Sequence, residues 1–301
     1  MSVRSVSLIV ATRWRSPEVR RLLDSLVAQT FKAFDVIVVD QNEDERLAPV
    51  LQEYSKKLTI RHVRSAKSGH SAGSNVGLKI CRGDVVGFPD DDCWYAPDLL
   101  RRVVVMFEKH PEWNGITGCE APTETDLRSD RFDQVAGLVT RKNIWRRHIS
   151  FSTFYRTADI DGLLFDERLG IGAGTIWGSG EETDFLLRFI MRERSVQYEP
   201  SLIVFHPDWG KGPYTLAAIT KARRYGMGMG RLLQAYGFSA AFTLRCLYRP
   251  LLGGVCTFMI GRPRKAVYHW SIFVGRAAGW AISLISNRTG SEGQAPGLST
   301  K

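Results

Sequence analysis

With 301 residues, 44% hydrophobic and 24% charged, the chain has an ordinary globular composition and room for one large α/β domain or two smaller ones. Its five cysteines, at 81, 93, 119, 246 and 256, are odd in number, widely spaced and without a CxxC pair, which argues against a disulfide framework or zinc site and fits a reducing compartment. The net charge of +10 is segregated: residues 1–208 sum to −2 and residues 209–301 to +12, with no acidic residue from Trp209 to Ser291.

Residues 5–12 (SVSLIVAT) predict a buried strand, entered almost at once, so no secretory signal peptide is expected. Ser16 is placed to cap a helix over 17–28, with Pro17 at its first position and Leu22, Leu23 and Leu26 on one face. Residues 34–40 (FDVIVVD) predict a second strand ending in an acid. A helix over 45–57, a strand over 58–63, a helix over 70–80 and a strand over 85–88 follow. This alternation predicts an α/β fold with a doubly wound, mostly parallel sheet and helices on both faces.

Beyond a helix over 97–109 the rhythm breaks. Residues 114–119 read as a strand, 123–133 as a polar loop, and 139–155 as strand-like residues mixed with a basic patch of Arg141, Lys142, Arg146 and Arg147. Residues 169–180 carry five glycines in twelve positions, a density that permits positive φ, close backbone approach and mobility. A helix over 181–192 and a strand over 196–205, closed by His206, complete this part. The tail begins with a helix over 214–236 bearing Lys221, Arg223, Arg224 and Arg231. Apolar stretches of 12, 10 and 11 residues follow at 250–261, 266–275 and 277–287. Each is short of the roughly 20 residues a spanning helix needs, although 266–286, counted across Arg276, makes 21. Cations interleaved with Trp270, Phe273, Trp280 and Leu284 match a helix lying in a membrane interface; a basic helical subdomain packed on the core is the alternative. Residues 290–301 are polar and expected to be disordered.

Three consecutive acids, Asp90, Asp91 and Asp92, follow the apolar run of 85–88. In an open α/β sheet the carboxyl ends of strands are where ligands bind, and hard oxygen ligands suit Mg²⁺ or Mn²⁺. The bland reading is a solvated acidic turn. Asp40, Thr12 and Arg13 end strands at the same predicted edge. That layout fits a nucleoside diphosphate, with Asp40 accepting hydrogen bonds and a cation on Asp92 neutralising the diphosphate. No GxxxxGK[ST] loop exists, and 11–16 contains no glycine, which disfavours kinases, ATPases and dinucleotide oxidoreductases.

The ordered set of residues 6–12, Asp40, the string Gly69-His-Ser-Ala-Gly-Ser-Asn75-Val-Gly77, Asp90-Asp-Asp92 and Gly180-Glu-Glu-Thr-Asp-Phe-Leu-Leu-Arg188 resembles the family-2 glycosyltransferases, inverting enzymes of the A-type glycosyltransferase fold. The resemblance covers about residues 4–208. It implies nucleoside contact at Asp40, a divalent metal (Mg²⁺ or Mn²⁺) on Asp90 and Asp92 with His206 completing its shell, and a catalytic base at Glu181-Glu182, with Glu182 at the base position and Asp184 a neighbouring alternative. Asn75, Asp91, Thr12 and Arg13 join the donor contacts. The family's first strand usually ends Pro-Thr-Tyr-Asn-Arg; here Thr12 and Arg15 keep the pattern while Ala11, Arg13 and Trp14 depart from it. Ser74 stands where an Arg usually precedes Asn75, so Lys67 or Arg13 is expected to supply that phosphate contact, and Glu182 is one methylene longer than the usual Asp.

For Glu181 and Glu182 the bland reading is first-turn charge complementarity; for His206 it is a strand-end histidine. Trp177 and Trp209 either stack on a sugar or pack. Of the two glutamates, Glu182 is expected to project inward, because Phe185, Leu186 and Phe189 follow it at three, four and seven residues. The expected organisation is a nucleotide-sugar-binding half over 1–115, an acceptor and catalytic half of the same domain over 116–208, the basic tail over 209–289 and the polar end over 290–301. The expected activity is inverting, metal-assisted sugar transfer from a nucleotide-diphosphate donor to a hydroxyl acceptor, with 170–180 a mobile loop over the donor. The tail motivates a lipid-linked glycan acceptor and a peripheral or monotopic place on the cytoplasmic face of the inner membrane. No nucleic-acid motif is present. The rivals are a sugar nucleotidyltransferase and a non-catalytic, membrane-recruited binding module.

Overall fold

A computed structural model describes residues 2–125, 131–207 and 213–289. The chain divides into two units: Met1–Phe165 with Phe185–Trp209, and Asp166–Asp184 with Gly210–Lys301. Trp209 and the expected disorder over 290–301 lie outside the described residues.

The first unit is organised by β1 (Val6–Thr12), an apolar strand buried on both faces. It pairs in parallel with β2 (Phe34–Asp40) and β4 (Val85–Gly87), and β2 pairs in parallel with β3 (Thr59–Arg64). The register puts Thr12 beside Asp40 and Asp40 beside Arg64, so all three end at one edge. Among the described residues the sheet has nine strands: β3-β2-β1-β4-β8-β6-β9-β5, with β7 also on β9. β6 (Gly115–Ala121) and β9 (Val196–Phe205) are parallel. β8 (Thr153–Arg156) runs antiparallel between β4 and β6, while β5 (Trp94–Tyr95) and β7 (Gly137–Leu138) lie antiparallel on β9. The doubly wound, mostly parallel α/β architecture expected from the sequence is thus present.

Helix α1 (Pro17–Val27) buries Val19, Leu22, Leu23 and Leu26 as its spacing requires. Helix α2 (Ala48–Tyr54) is shorter than the expected 45–57, with a bend and turn occupying 43–47. Helix α3 (His70–Ile80) turns a face of small residues to the sheet: a Cβ on Gly77 would come within 2.3 Å of the Ile9 side chain, so the helix lies closer to β1 than any side chain there would permit. Helix α4 (Leu99–Lys109) is amphipathic, burying Leu99, Leu100, Val103, Val104 and Phe107. The mixed segment resolves into β7, the short helix α5 (Ile144–Arg147), a 3₁₀ turn at Ser150–Ser152, β8 and the short helix α6 (Thr157–Ile160). The chain passes from the second unit back into the first within α7 (Glu181–Met191), whose Phe185, Leu186, Leu187 and Phe189 are buried.

The second unit holds the glycine-rich segment and three helices, α8 (Leu216–Ala235), α9 (Ala240–Met259) and α10 (Pro263–Thr289). Thr215 and Ser239 cap α8 and α9 by accepting from the N–H groups of Ala218 and Phe242. Helices α8 and α10 meet backbone to backbone: a Cβ on Gly230 would stand 2.1 Å from the Arg276 carbonyl, and one on Gly279 2.1 Å from that of Met227. Glycines four apart, Gly226 with Gly230 and Gly275 with Gly279, create that contact.

An expected break in the tail, at Arg276, and a proline inside a helix are both bridged. Helix α9 continues through Pro250, whose ring nitrogen cannot donate to the Cys246 carbonyl one turn back. The guanidinium of Arg276, from α10, donates to that carbonyl at 2.6 Å. The proline defect and the cation that separated two apolar stretches therefore satisfy each other, giving helices of 20 and 27 residues. Among the described residues no helix is long and apolar enough to cross a membrane.

Candidate active site

At the edge shared by β1, β2 and β3, Asp40 is fully buried. Its Oδ1 accepts from the Asn42 backbone and side-chain nitrogens at 2.9 and 2.6 Å; His62 Nε2 lies 3.0 Å and an Arg64 nitrogen 3.3 Å from its Oδ2. A carboxylate has about four acceptor sites, so these four donors fill them. Asp40 thus acts as an organiser of Asn42 and His62, and a nucleoside contact at its own oxygens requires one of these partners to be shared or moved. Asn42 Oδ1 in turn accepts from the backbone N–H of Trp14 at 2.6 Å. Trp14 holds φ at 67°, rare for a bulky side chain, and stands half exposed between the guanidinium groups of Arg13 and Arg46. Arg13 also pairs with Glu43 at 2.8 Å.

The start of α3 is fastened to the same edge by Gln41, whose Nε2 donates to the carbonyls of Lys67 and Gly69, each at 2.9 Å. The Lys67 side chain is exposed. Asn75 is buried and grips the backbone of Phe165, donating to its carbonyl at 3.0 Å and accepting from its N–H at 2.8 Å. These contacts are structural, at the place where the chain leaves the first unit. The Ser74 hydroxyl is buried with no hydrogen-bond partner among the described residues.

The three acids after β4 separate by role. Asp91 turns to β1, accepting from Thr12 Oγ1 at 2.7 Å and from Arg15 at 2.7 Å. Burial pushes its carboxyl up to about 6, with Arg15 and Thr12 opposing. Asp92 is almost fully buried; there burial also works upward, but His206 and Arg15 outweigh it and hold the group down at about 2. Arg15 bonds both Asp91 and Asp92. It is a residue that the sequence reading noted only as keeping the family pattern. The His206 ring stacks on Phe151 with centroids 4.8 Å apart, and its Nε2 lies 3.2 Å from Asp92 Oδ1.

What brings His206 to Asp92 is β5, a two-residue strand unforeseen in the sequence. Its antiparallel pairing of Trp94 with Phe205 continues toward Cys93 and His206, so Asp92, one residue further back, comes within reach of the histidine. Arg21 clamps the turn by donating to the Asp92 carbonyl at 2.7 Å and stacking on Trp94 at 3.9 Å. Asp90, Asp92 and His206 each offer one ligand atom, all within 4.8 Å of one another. Two carboxylates and one imidazole, without thiolate, fit Mg²⁺ or Mn²⁺.

In the second unit, the acids opening α7 differ in environment. Glu181 is buried against Gly170, where a Cβ would meet its carboxyl carbon at 2.5 Å. Its Oε2 has no hydrogen-bond partner among the described residues. Burial, reinforced by the neighbouring charge of Glu182, pushes its carboxyl up to about 8. Asp184 is buried and accepts from the Tyr236 hydroxyl at 2.6 Å. Glu182 is half-buried. The expected inward projection of Glu182 over Glu181 is therefore corrected: Glu181, Asp184 and Phe185, at spacings of three and four, share the buried side, and a single apolar stripe was too coarse a guide at the first turn.

Trp177 is buried, with the Arg231 guanidinium over its ring at 5.0 Å. The glycine-rich segment is fastened to α8: Arg224 donates to the Thr175 carbonyl at 2.8 Å, Ser179 Oγ to that of Tyr225 at 2.8 Å, and Gly178 N to that of Arg224 at 3.2 Å. The donor-edge residues and the metal triad are thus assembled within the first unit, and Glu181, Glu182, Asp184 and Trp177 belong to the second.

Comparison with known proteins bears on this arrangement. An uncharacterized glycosyltransferase of Haemophilus influenzae is 29% identical over 195 residues, 64% of this chain and 65% of that protein. Hyaluronan synthase of Pasteurella multocida is 39% identical over 98 residues, 32% of this chain and 10% of the synthase. The matches thus span less than two thirds of these relatives. Among solved structures, S. aureus TarS 1-349 in complex with UDP superposes with a TM-score of 0.57 at 20% identity, covering 95% of this chain and 92% of that one. A Pyrobaculum calidifontis mannosyltransferase in complex with GDP-Man and Mn²⁺ superposes with a TM-score of 0.57 at 13% identity, covering 98% and 82%. These likenesses show the A-type fold. The family model for glycosyl transferase family 2 matches residues 7–163, more than half of the chain, and the chain belongs to that family.

Proposed function

We propose that this glycosyltransferase moves a sugar from a nucleotide-diphosphate donor to a hydroxyl of a lipid-linked glycan, with inversion at the anomeric carbon, at a membrane surface on the cytoplasmic side. The observation that carries the donor half is the grouping of Asp90, Asp92 and His206 within 4.8 Å at the carboxyl edge of the sheet. These residues would hold Mg²⁺ or Mn²⁺, which supplies charge neutralisation for a departing diphosphate. The relatives' complexes with UDP and with GDP-Man and Mn²⁺ support a nucleotide-sugar donor and a divalent cation. Family membership favours this reading over nucleotidyl transfer or a non-catalytic module.

The chain's own residues then have separable tasks. Asp40 holds Asn42 and His62 at the nucleoside end, and Thr12 and Arg15 fix Asp91 beside the cation ligands. Lys67, Arg13 and Arg15 supply positive charge near the donor phosphates. Glu182 takes the acceptor hydroxyl's proton as that oxygen attacks opposite the leaving group. The lipid acceptor rests on the +12 charge of residues 209–301 and the apolar residues interleaved with its cations.

The test is a nucleotide-sugar panel with Mn²⁺ or EDTA, read by thermal stabilisation, then transfer of labelled sugar to a polyprenyl-diphosphate glycan with the anomer assigned by NMR. One donor should stabilise the protein only with the cation, and the product should carry the opposite anomeric configuration. Retention of configuration, or stabilisation indifferent to EDTA, would contradict the proposal.

A further inference from the structure

Helix α9 is built inside out. Its buried stripe is small or polar: Thr243, Cys246, Pro250, Gly254 and Thr257. Its large apolar side chains face outward: Leu244 is 61% exposed, Leu252 52%, Phe258 58% and Met259 79%. At 100° per residue, Leu244, Leu251, Leu252, Val255, Phe258 and Met259 fall within an arc of about 120°. Arg245 and Arg249, both exposed, flank one side of that arc. The helix ends in an apolar tip, where Ile260 is 66% exposed, and exposed Arg262 and Arg264 with Lys265 follow immediately.

So large a contiguous apolar face marks an interaction surface. Its surroundings say what kind. No acidic residue lies between Trp209 and Ser291, so a second copy would bring a like charge of +12 onto the same face. A nucleic acid would use the cations and leave the apolar arc in water. A bilayer carrying anionic headgroups uses both: cations reach the phosphates while aliphatic and aromatic side chains enter the acyl boundary.

We infer that the outward face of α9 and the α9–α10 turn seat the protein on an anionic lipid bilayer, lying in the interface without crossing it. This rests on the membrane association proposed above and assigns it to one helix face, away from the aromatics of α10 on which the sequence reading placed it. Among the described residues of α10, Trp270, Phe273, Trp280 and Leu284 are only partly exposed, and Gly275 and Gly279 are spent on α8.

The experiment is co-sedimentation of the full chain with vesicles of phosphatidylcholine alone or with one third phosphatidylglycerol, beside a duplex-DNA arm and light scattering for oligomeric state. Three proteins are compared: wild type, Leu252→Ser with Phe258→Ser, and Arg262→Gln with Arg264→Gln. All substituted side chains are solvent-exposed, and unchanged circular dichroism and donor stabilisation verify folding. Wild type should bind the anionic vesicles, and the apolar pair should weaken partition by about a hundredfold, the loss of two buried large side chains. The arginine pair should lose the preference for anionic over neutral vesicles. If wild type ignores vesicles, membrane association itself is wrong. If it binds and the apolar pair binds equally well, association stands and the α9 assignment is wrong. A dimer that dissociates in the apolar pair, or DNA binding stronger than vesicle binding, also overturns the inference.

Discussion

Asp92 sits where three demands meet: it is nearly fully buried, it bonds Arg15, and it faces His206 at 3.2 Å. Replacing it removes a proposed cation ligand and the partner of Arg15 and His206. Asp92→Ala should reduce Mn²⁺-dependent nucleotide-sugar affinity by more than about a hundredfold, beyond the cost of losing an outer-sphere partner. Titration calorimetry with and without Mn²⁺ checks this, and undiminished affinity would remove the metal assignment. The glutamates opening α7 can be separated likewise. Glu182→Gln keeps size and loses the basic oxygen, so turnover should fall about 10²–10⁴-fold with donor affinity unchanged. A dead Glu181→Gln or Asp184→Asn beside a normal Glu182→Gln would move the base.

Glu181 also makes a prediction about stability. Its carboxyl is raised from 4.5 to about 8 by burial and by Glu182. Between those values the unfolded chain has released this proton while the folded chain keeps it, so stability drains away as pH rises from about 4.5 to 8 and levels off above. Glu181→Gln has no proton to lose. Its melting temperature should match or trail wild type near pH 5 and exceed it by about 5 °C or more at pH 8.5. Parallel melting curves across that range would show that the burial of Glu181 is relieved in solution.

Elements in the tail are joined by complementary defects. Pro250 leaves the Cys246 carbonyl without its helical donor, and Arg276 supplies one from α10. Arg276→Ala should cost about 1.5–3 kcal/mol, the range for a hydrogen bond from a charged group. Pro250→Ala restores the backbone N–H, so the same change should cost clearly less in that background. The double-mutant cycle by urea denaturation reads the coupling, and additivity within about 0.5 kcal/mol would show that the two groups are independent. In the first unit the comparable device is β5, two residues long, whose pairing with β9 decides that Asp92 and His206 are neighbours.

At the scale of the whole molecule, charge and apolar surface are concentrated together in the C-terminal tail: the chain from Trp209 onward carries +12, while residues 1–208 carry −2. Binding to anionic vesicles should therefore weaken steadily from low salt to about 0.5 M and then reach a floor, because headgroup attraction is screened and apolar burial is not. Binding that vanishes at high salt would mean that the cations act alone.

The sequence by itself determined the alternation of β1 to α4, the edge at which Thr12, Asp40 and Asp90–Asp92 end, and the family. Each of these rests on local periodicity or on a motif contiguous in the chain. It did not determine β5, since two residues carry no period, nor the occupancy of Asp40 and Asn75, whose partners are donors and acceptors brought in by folding. Nor did it reveal which of Glu181 and Glu182 is buried, because Gly170 covers one of them from eleven positions away. In the tail it read Arg276 as a break between two apolar stretches and counted Pro250 within one of them. Only tertiary structure decided that Arg276 donates to the Cys246 carbonyl, which Pro250 leaves without its helical donor, and that the large apolar side chains of α9 face outward.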